Sequence, residues 1–423
     1  MFAPSSPLKA VAVSERVFWI GAFDAAMRTF DVILKTPNGT TYNAYLVRGS
    51  DGVAVVDTVK ASAAEAFFAR LESVARYEEI TTIVLNHLEP DHSGALPELL
   101  RRAPQARLYI SRTAQMMLKG LLKQDELVYT PVGTGDTVSL GDRTLRFLHT
   151  PYLHWPDTQC TYLEEEATLF SGDVFGCHFC DERLFNDRVG DFRFSFEYYY
   201  GHIMRPFKQH VTAALELIEP LRLNIVAPTH GPILRDRPRH YVQRYRELST
   251  PRLHLDVGEG EKTLIIFYIS CYGNTMRMAE AIREGASEFD GVRVSLYDME
   301  GGEVEPFVDL LEEADGLLLG SPTINGDAVK PVWDLLSSLA KINIKNKLAG
   351  TFGSYGWSGE AVRLIEDRLR GLKMRVPLPG VRVKLIPTPE ELGECREFGR
   401  QMAQHLLGIQ GPRVIEFEEL RAR

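Results

Sequence analysis

Two rhythms of apolar and polar residues run through this chain. Up to about residue 80 the apolar runs are short and either continuous or alternating: Phe18-Trp19-Ile20, residues 42–47 (Tyr-Asn-Ala-Tyr-Leu-Val) and residues 53–57 (Val-Ala-Val-Val-Asp). Asn38-Gly39 and Asp51-Gly52 separate them, so the pattern predicts strands joined as hairpins. From 61 to 76 the period becomes helical, with Ala64, Phe68, Leu71 and Ala75 on one face. Ile83-Val84-Leu85 then reads as a buried strand feeding a loop that contains Pro90 and Gly94. Strands, then helix, then strand predict an α/β layer.

The second rhythm begins after charged, turn-like text from about Gln243 to Lys262, which includes Ser249-Thr250-Pro251 and Gly258-Glu259-Gly260 and reads as a linker or its neighbourhood. Beyond it, strand and helix alternate regularly. Residues 263–268 (Thr-Leu-Ile-Ile-Phe-Tyr) form a buried-strand run, followed by a helical pattern with Met278, Ile282, Ala286 and Phe289 inward. Residues 316–320 and 348–353 repeat the strand pattern, as a doubly wound parallel sheet requires. At 423 residues the chain exceeds one ordinary core. The expected division is a first domain over 1–250, a linker over 251–262, a second domain over 263–409, and a tail over 410–423 that the pattern leaves unassigned.

Charge and cysteine content narrow the setting. The net charge is −9 with Lys and Arg scattered, which favours neither nucleic acid nor an anionic membrane as partner. No run of eighteen apolar residues occurs and the N-terminus has no signal-like pattern, so a cytoplasmic protein is expected. Five scattered cysteines make no disulfide framework, and Cys177-His178-Phe179-Cys180 is a lone C-x-x-C, read either as two ordinary thiols or as a redox pair.

Candidate chemistry concentrates in the loop Asn86-His87-Leu88-Glu89-Pro90-Asp91-His92-Ser93-Gly94. The arrangement H-x-E-x-D-H offers more ligand-capable side chains than one metal ion needs, which suggests a two-metal site. Further candidates stand at the ends of short apolar runs: His154 in Thr150-Pro151-Tyr152-Leu153-His154, Asp173 in Ser171-Gly172-Asp173, and His230 in Pro228-Thr229-His230-Gly231. Of the eleven histidines, His210, His240, His254 and His405 lack that context and read as structural. His149 is a candidate neighbour of the ligands; His178 and His202 either face bound oxygen species or sit in the wall.

In the second half, Ser270-Cys271-Tyr272-Gly273-Asn274-Thr275 lies between a strand and a helix. Backbone N–H groups at a helix start, together with hydroxyl and amide side chains, form a cradle for one phosphate. The loop has no Lys or Arg and matches neither the P-loop nor the dinucleotide pattern, so a terminal monophosphate fits better than a pyrophosphate. Two later strand ends, Ser321-Pro322-Thr323-Ile324-Asn325 and Ser354-Tyr355-Gly356-Trp357-Ser358-Gly359, supply polar backbone and aromatic faces suited to a flat tricyclic ring.

The first loop resembles the metal loop of the metallo-β-lactamase superfamily, with Glu89 where the hydrolases usually carry a second His. A carboxylate there makes the site harder and shifts the metal from zinc towards iron or manganese. The later loops resemble a flavodoxin domain. Together, in this order, they resemble the flavodiiron proteins over essentially the whole chain. That resemblance implies an N-terminal metallo-β-lactamase-like αββα sandwich followed by a flavodoxin-like doubly wound sheet. It implies two iron ions, one held by His87, Glu89 and His154 and the other by Asp91, His92 and His230, with Asp173 bridging. It also implies FMN bound by Ser270, Tyr272, Gly273, Asn274, Thr275, Pro322, Thr323, Ile324, Asn325, Ser354, Tyr355, Gly356, Trp357 and Gly359. The implied activity is reduction of dioxygen to water, of nitric oxide to nitrous oxide, or of both, with a hydrolase fused to a flavodoxin-like module as the alternative. A head-to-tail homodimer or dimer of dimers is implied. Without a second C-x-x-C pair or a G-x-G-x-x-G site, a separate electron carrier is expected, such as rubredoxin or a reduced deazaflavin. One departure is Phe30-Asp31-Val32, where the family often has Phe-His-Gly, so substrate preference stays open.

Overall fold

A computed structural model describes residues 8–409 apart from 33, 124–127, 252–254, 256, 259, 340, 341 and 343. His254 and the tail 410–423 lie outside the described residues. The chain divides into two compact units, Met1–Thr250 and Pro251–Arg423.

Two sheets form the middle of the first unit. One runs in the order Val11–Ala12, Val17–Trp19, Tyr45–Arg48, Val53–Val56, Ile80–Val84, Arg107–Ser111, Tyr129–Val132; the other runs Thr137–Ser139, Thr144–His149, Gln159–Leu163, Thr168–Gly172, Ile225–Pro228. Strand alternation decides what each face buries. Leu46, Val55 and Ile83 pack with Phe67, Phe68 and Leu71 of the helix Ala64–Glu72. Tyr45, Val47, Val56 and Val84 instead meet Phe147, Phe170 and Ala227 between the sheets. On the outer side of the second sheet, Leu148, Leu169 and Val226 pack with Val211, Leu215 and Tyr245 from the helices Lys208–Ile218 and Pro238–Ser249. These layers make an αββα sandwich, as expected.

The second unit is a parallel sheet in the order Val292–Asp298, Lys262–Tyr268, Gly316–Gly320, Leu348–Tyr355, Val381–Lys384, with helices on both faces. Ile265, Phe267, Leu317 and Leu319 face one apolar layer, whereas Leu264, Ile266, Leu318 and Phe352 face the other. The helices Asn274–Ala286 and Pro389–Leu407 approach closely because two glycines lie in the contact. A Cβ on Gly399 would stand 2.1 Å from the Ile282 carbonyl oxygen, and one on Gly285 would stand 1.9 Å from that of Arg396.

Local readings needed correction at five places. Asn38-Gly39 is a turn, but the strands beside it do not pair with each other: Thr40–Tyr42 pairs with Ala22–Asp24, and Leu34–Lys35 with Thr29–Phe30. Residues 42–47 are two strands, because Asn43 leaves the ladder to bond Trp19 Nε1 (2.8 Å) and the carbonyls of Pro228 (2.8 Å) and Gly231 (2.9 Å). The α-helix expected over 61–76 covers only Ala64–Glu72, after a 3-10 turn at Ala61–Ala63. The linker-like text from Gln243 belongs as far as Ser249 to the helix Pro238–Ser249, whose Val242 and Tyr245 are buried. Phe289 lies beyond the end of its helix at Ala286. Among the described residues, no helix is long and apolar enough to cross a membrane.

Candidate functional site

The H-x-E-x-D-H loop leaves the strand Ile80–Val84 and is clamped at once. Asn86 donates from its backbone N–H to Asp57 Oδ1 (2.7 Å) and from Nδ2 to Asp57 Oδ2 (3.0 Å), while Thr161 donates to Asn86 Oδ1 (2.7 Å). These bonds tie the loop to both sheets. Pro90–Ser93 then makes one helical turn that aims Asp91 and His92 inward, held by Thr58 Oγ1 and Ser93 Oγ on neighbouring carbonyls.

Four imidazoles and three carboxylates converge in two groups: His87, Glu89, His154 and Asp173, and then Asp91, His92 and His230. Each histidine turns Nε2 inward. In the first group Glu89 Oε2 is 3.2 Å from His87 Nε2 and 2.9 Å from His154 Nε2. In the second, Asp91 lies 3.3 Å from His92 Nε2 and 3.1 Å from His230 Nε2. Asp173 faces both: Oδ2 is 3.8 Å from His87 and 3.6 Å from His154, whereas Oδ1 is 3.3 Å from His92 and 3.5 Å from His230. All seven sequence candidates are therefore brought together.

The electrostatics favour a bound cation pair. Both Asp91 oxygens, Asp173 Oδ2 and His92 Nε2 are buried without a hydrogen-bond partner, an expensive state for polar groups unless something charged binds them. Burial opposes ionisation of Asp173, yet His92, His87 and His230 hold its pKa well below the usual carboxylate range. Burial would also lower His87, but Asp157 and Glu89 outweigh it and push its pKa up to about 9. Three carboxylates and four imidazoles suit two hard or borderline ions with positions left open for a small ligand.

Glu89 and Asp91 also line a pocket of about 210 Å³, together with Phe30, Asp31, Tyr42 and Lys60. Asp31 lies at its rim with a pKa raised by burial and by Glu89 and Asp91. His178 is buried beside His230, its ring 5.2 Å from that of His230 and its Nδ1 3.0 Å from Thr40 Oγ1. Burial drives its pKa down to about 3, so it is neutral across ordinary pH. His149 is not hydrogen-bonded to a ligand candidate: its Nε2 pairs with Thr113 Oγ1 at 3.1 Å. Nor is His202, which bonds the Tyr198 carbonyl and stacks on that ring. Cys177 is buried with a raised pKa, and Cys180 is a free thiol.

Sequence reasoning missed Asp157. Its Oδ2 lies 3.0 Å from His87 Nδ1 and accepts the Leu88 N–H at 2.7 Å. The signal was a carboxylate three residues after His154, but its partner lies seventy residues earlier.

In the second unit the three expected loops stand at the carboxyl ends of adjacent parallel strands. Gly273, at φ +78°, turns the chain into the helix Asn274–Ala286, and Ser270 Oγ accepts the Met276 N–H. Thr275 Oγ1 lies 2.9 Å from Ser354 Oγ, joining the first loop to the third. Pro322 is buried. Thr323–Ile324 starts a small hairpin turned by Asn325-Gly326, both with positive φ, an Asn-Gly signal that sequence analysis did not use. Gly359 brings its backbone against Tyr355, since a Cβ would meet that ring at 2.9 Å. Tyr272 is 91% exposed and Trp357 80% exposed. Large aromatic side chains left open beside a helix N-terminus fit a planar, phosphate-bearing ligand.

Comparison with known proteins agrees with this geometry. Residues 40–231 match the family described as ODP family beta lactamase, and residues 266–399 match Flavodoxin. The chain is 61% identical over 419 residues to the type A flavoprotein fprA of Rhodobacter capsulatus, covering 99% of this chain and 96% of that one. It is 35% identical over 402 residues to a nitric oxide reductase of Moorella thermoacetica, covering 94% and 98%. Among solved structures, the rubredoxin oxygen:oxidoreductase of Desulfovibrio gigas aligns with TM-score 0.64 at 29% identity, covering 95% of this chain and 99% of that one.

Proposed function

Because the chain belongs to the flavodiiron family of type A flavoproteins, we propose that it reduces dioxygen to water, nitric oxide to nitrous oxide, or both, using electrons delivered through FMN to a non-haem iron pair. The observation that carries this reading is Asp173, whose two oxygens face two separate sets of imidazole and carboxylate donors. His87, Glu89 and His154 would hold one iron and Asp91, His92 and His230 the other, with Asp173 shared. When bound, the iron pair supplies the site of diatomic reduction and the flavin stores and passes electrons, so that together they hold the four electrons dioxygen needs or the two that couple two nitric oxides.

The chain's own part is to hold and to exclude. Asp57, Asn86 and Thr161 keep the ligand loop rigid, so the donors are preorganised. Phe30 and Tyr42 line a pocket of about 210 Å³, below the roughly 300 Å³ at which pockets for larger organic ligands begin. That size and Glu89 both disfavour the hydrolase alternative. In the second unit, Ser270, Asn274 and Thr275 with the helix N-terminus would bind the FMN phosphate, and Tyr272, Tyr355, Trp357 and the loop Pro322, Thr323, Ile324 and Asn325 would flank the ring, with Ser354, Gly356 and Gly359 shaping the third loop.

We further read the working unit as a head-to-tail homodimer or a dimer of dimers in the cytoplasm, with a separate carrier such as rubredoxin or a reduced deazaflavin as donor. The test is gas consumption by purified protein carrying reduced donor, alongside metal and flavin analysis. Yellow protein with two irons per chain that consumes dioxygen or nitric oxide only when donor is present is expected. Colourless, zinc-loaded protein without gas consumption would overturn the reading.

A further inference from the structure

Of the four inward-facing histidines, His87 differs in what stands behind it. Its Nδ1 is 3.0 Å from Asp157 Oδ2, and both side chains are fully buried. The same oxygen accepts the Leu88 N–H at 2.7 Å, and Ser111 Oγ donates to the Asp157 backbone carbonyl at 2.6 Å, so the carboxylate is fixed in place. A carboxylate there is an acceptor, so when a metal displaces the Nε2 proton that faces Glu89 and Asp173, the proton His87 keeps is the one on Nδ1. His230 has a neutral acceptor instead, the Thr41 carbonyl at 2.7 Å. Among the described residues, neither His92, His154 nor His230 has a carboxylate at its Nδ1. Asp57 does not create the difference, because both its oxygens bond Asn86 and its charge acts more strongly on His92 than on His87.

From this asymmetry, and resting on the iron-pair reading above, we propose that Asp157 is a positioning residue that makes the two metal positions unequal: through His87 it renders the position of His87, Glu89 and His154 the more tightly binding and the more easily oxidised. The physical cause is that an anion accepting the Nδ1 proton gives the imidazole partial imidazolate character and raises the basicity of Nε2. Both donor sets otherwise match, each with two imidazoles, one carboxylate of its own and a share of Asp173. A stronger donor stabilises the ferric more than the ferrous state.

The test uses the full chain with FMN, loaded with iron(II) under anaerobic conditions. In the parent protein, titration with EDTA is expected to release the two irons in two separate steps, and reductive titration followed by EPR is expected to show a mixed-valence signal between two one-electron steps. Asp157→Asn keeps an oxygen for the Leu88 and His87 N–H groups and removes the charge. In that variant the tighter release step should move 10- to 100-fold to lower EDTA, the span typical of such partners. The weaker step should stay within twofold, and the comproportionation constant should fall at least tenfold. Asp157→Glu should restore part of the gap. A variant whose tighter step does not move, or whose two steps both move to lower EDTA by the same factor, would overturn the proposal, because a merely structural role predicts one or the other. Independently of any variant, release of both irons in a single step from the parent would overturn it while leaving the iron-pair reading intact; failure of the parent to hold two irons would remove both.

Discussion

At Glu89 and His87, burial and charge oppose each other and charge wins. Burial would raise Glu89, but His154 and His87 bring it down to about 2; burial would lower His87, but Asp157 and Glu89 push it up to about 9. The consequence for the metal-free protein has a definite sign. The contribution of His87 to stability is complete below its ordinary 6.5 and is lost as pH rises through about 9, whereas that of Glu89 is present above 4.5 and is lost as pH falls through about 2. Thermal unfolding of metal-free protein should therefore show its highest midpoint between pH 4.5 and 6.5 and a decline towards pH 9. Metal binding runs the other way, because the Nε2 proton of His87 must leave: affinity for iron(II) should rise with pH up to about 9, with proton release measurable by calorimetry in buffers of different ionisation enthalpy. Affinity independent of pH between 6.5 and 9 would contradict this assignment. Asp173→Ala should cost both irons and all gas reduction while FMN content stays unchanged; two retained irons with normal turnover would refute the bridge. The seven ligand candidates were legible because each stands at a strand end or in the H-x-E-x-D-H loop. Asp157 and Asn43 were not, because what they do depends on partners seventy and more than a hundred and eighty residues away.

Elements were legible where their period was long and uninterrupted. The buried strand Lys262–Tyr268 and the helix after it follow directly from their pattern, as does the hairpin across Asp51-Gly52. Short elements failed where a tertiary contact outweighed local signal, as at Asn38-Gly39 and in the helix Pro238–Ser249, whose charged outer face masks buried Val242 and Tyr245. The pair Gly285 and Gly399 offers a direct test of packing against propensity. Intrinsic preference favours alanine over glycine within a helix by about 1 kcal/mol, yet a Cβ at Gly399 would meet the Ile282 carbonyl oxygen at 2.1 Å. Gly399→Ala should therefore destabilise the second unit by about 1–3 kcal/mol through overpacking, read from urea unfolding followed by flavin release. A stabilised variant would mean that the helices separate freely. In the phosphate loop, Asn274→Ala with Thr275→Ala removes two hydrogen bonds to an anion, each worth about 1.5–3 kcal/mol, and unlinks Thr275 from Ser354. FMN affinity should fall by well over tenfold, and unchanged flavin content after dialysis would remove this loop from the cradle.

For the molecule as a whole, the chain carries a metal-donor cluster in one compact unit and a flavodoxin-like sheet, with the loops proposed to bind FMN, in the other. In the proposed head-to-tail dimer, each chain's metal cluster would draw on its partner's flavin. Protein with Asp173→Ala and protein with the Asn274→Ala and Thr275→Ala pair should each be inactive alone and should regain part of the activity when co-expressed as a mixed dimer. Chains that each use their own flavin would regain none. Electron counting in a single turnover distinguishes complete gas reduction from partial reduction and from none. Protein loaded with FMN and two irons is fully reduced without oxygen, then mixed with substoichiometric dioxygen or nitric oxide while flavin and iron oxidation are followed spectroscopically. Four electrons are expected to leave the protein per dioxygen without hydrogen peroxide, or one nitrous oxide to form per two nitric oxides, or both. Hydrogen peroxide as the product of dioxygen together with no nitrous oxide from nitric oxide, or cofactors that stay reduced under both gases, would contradict it.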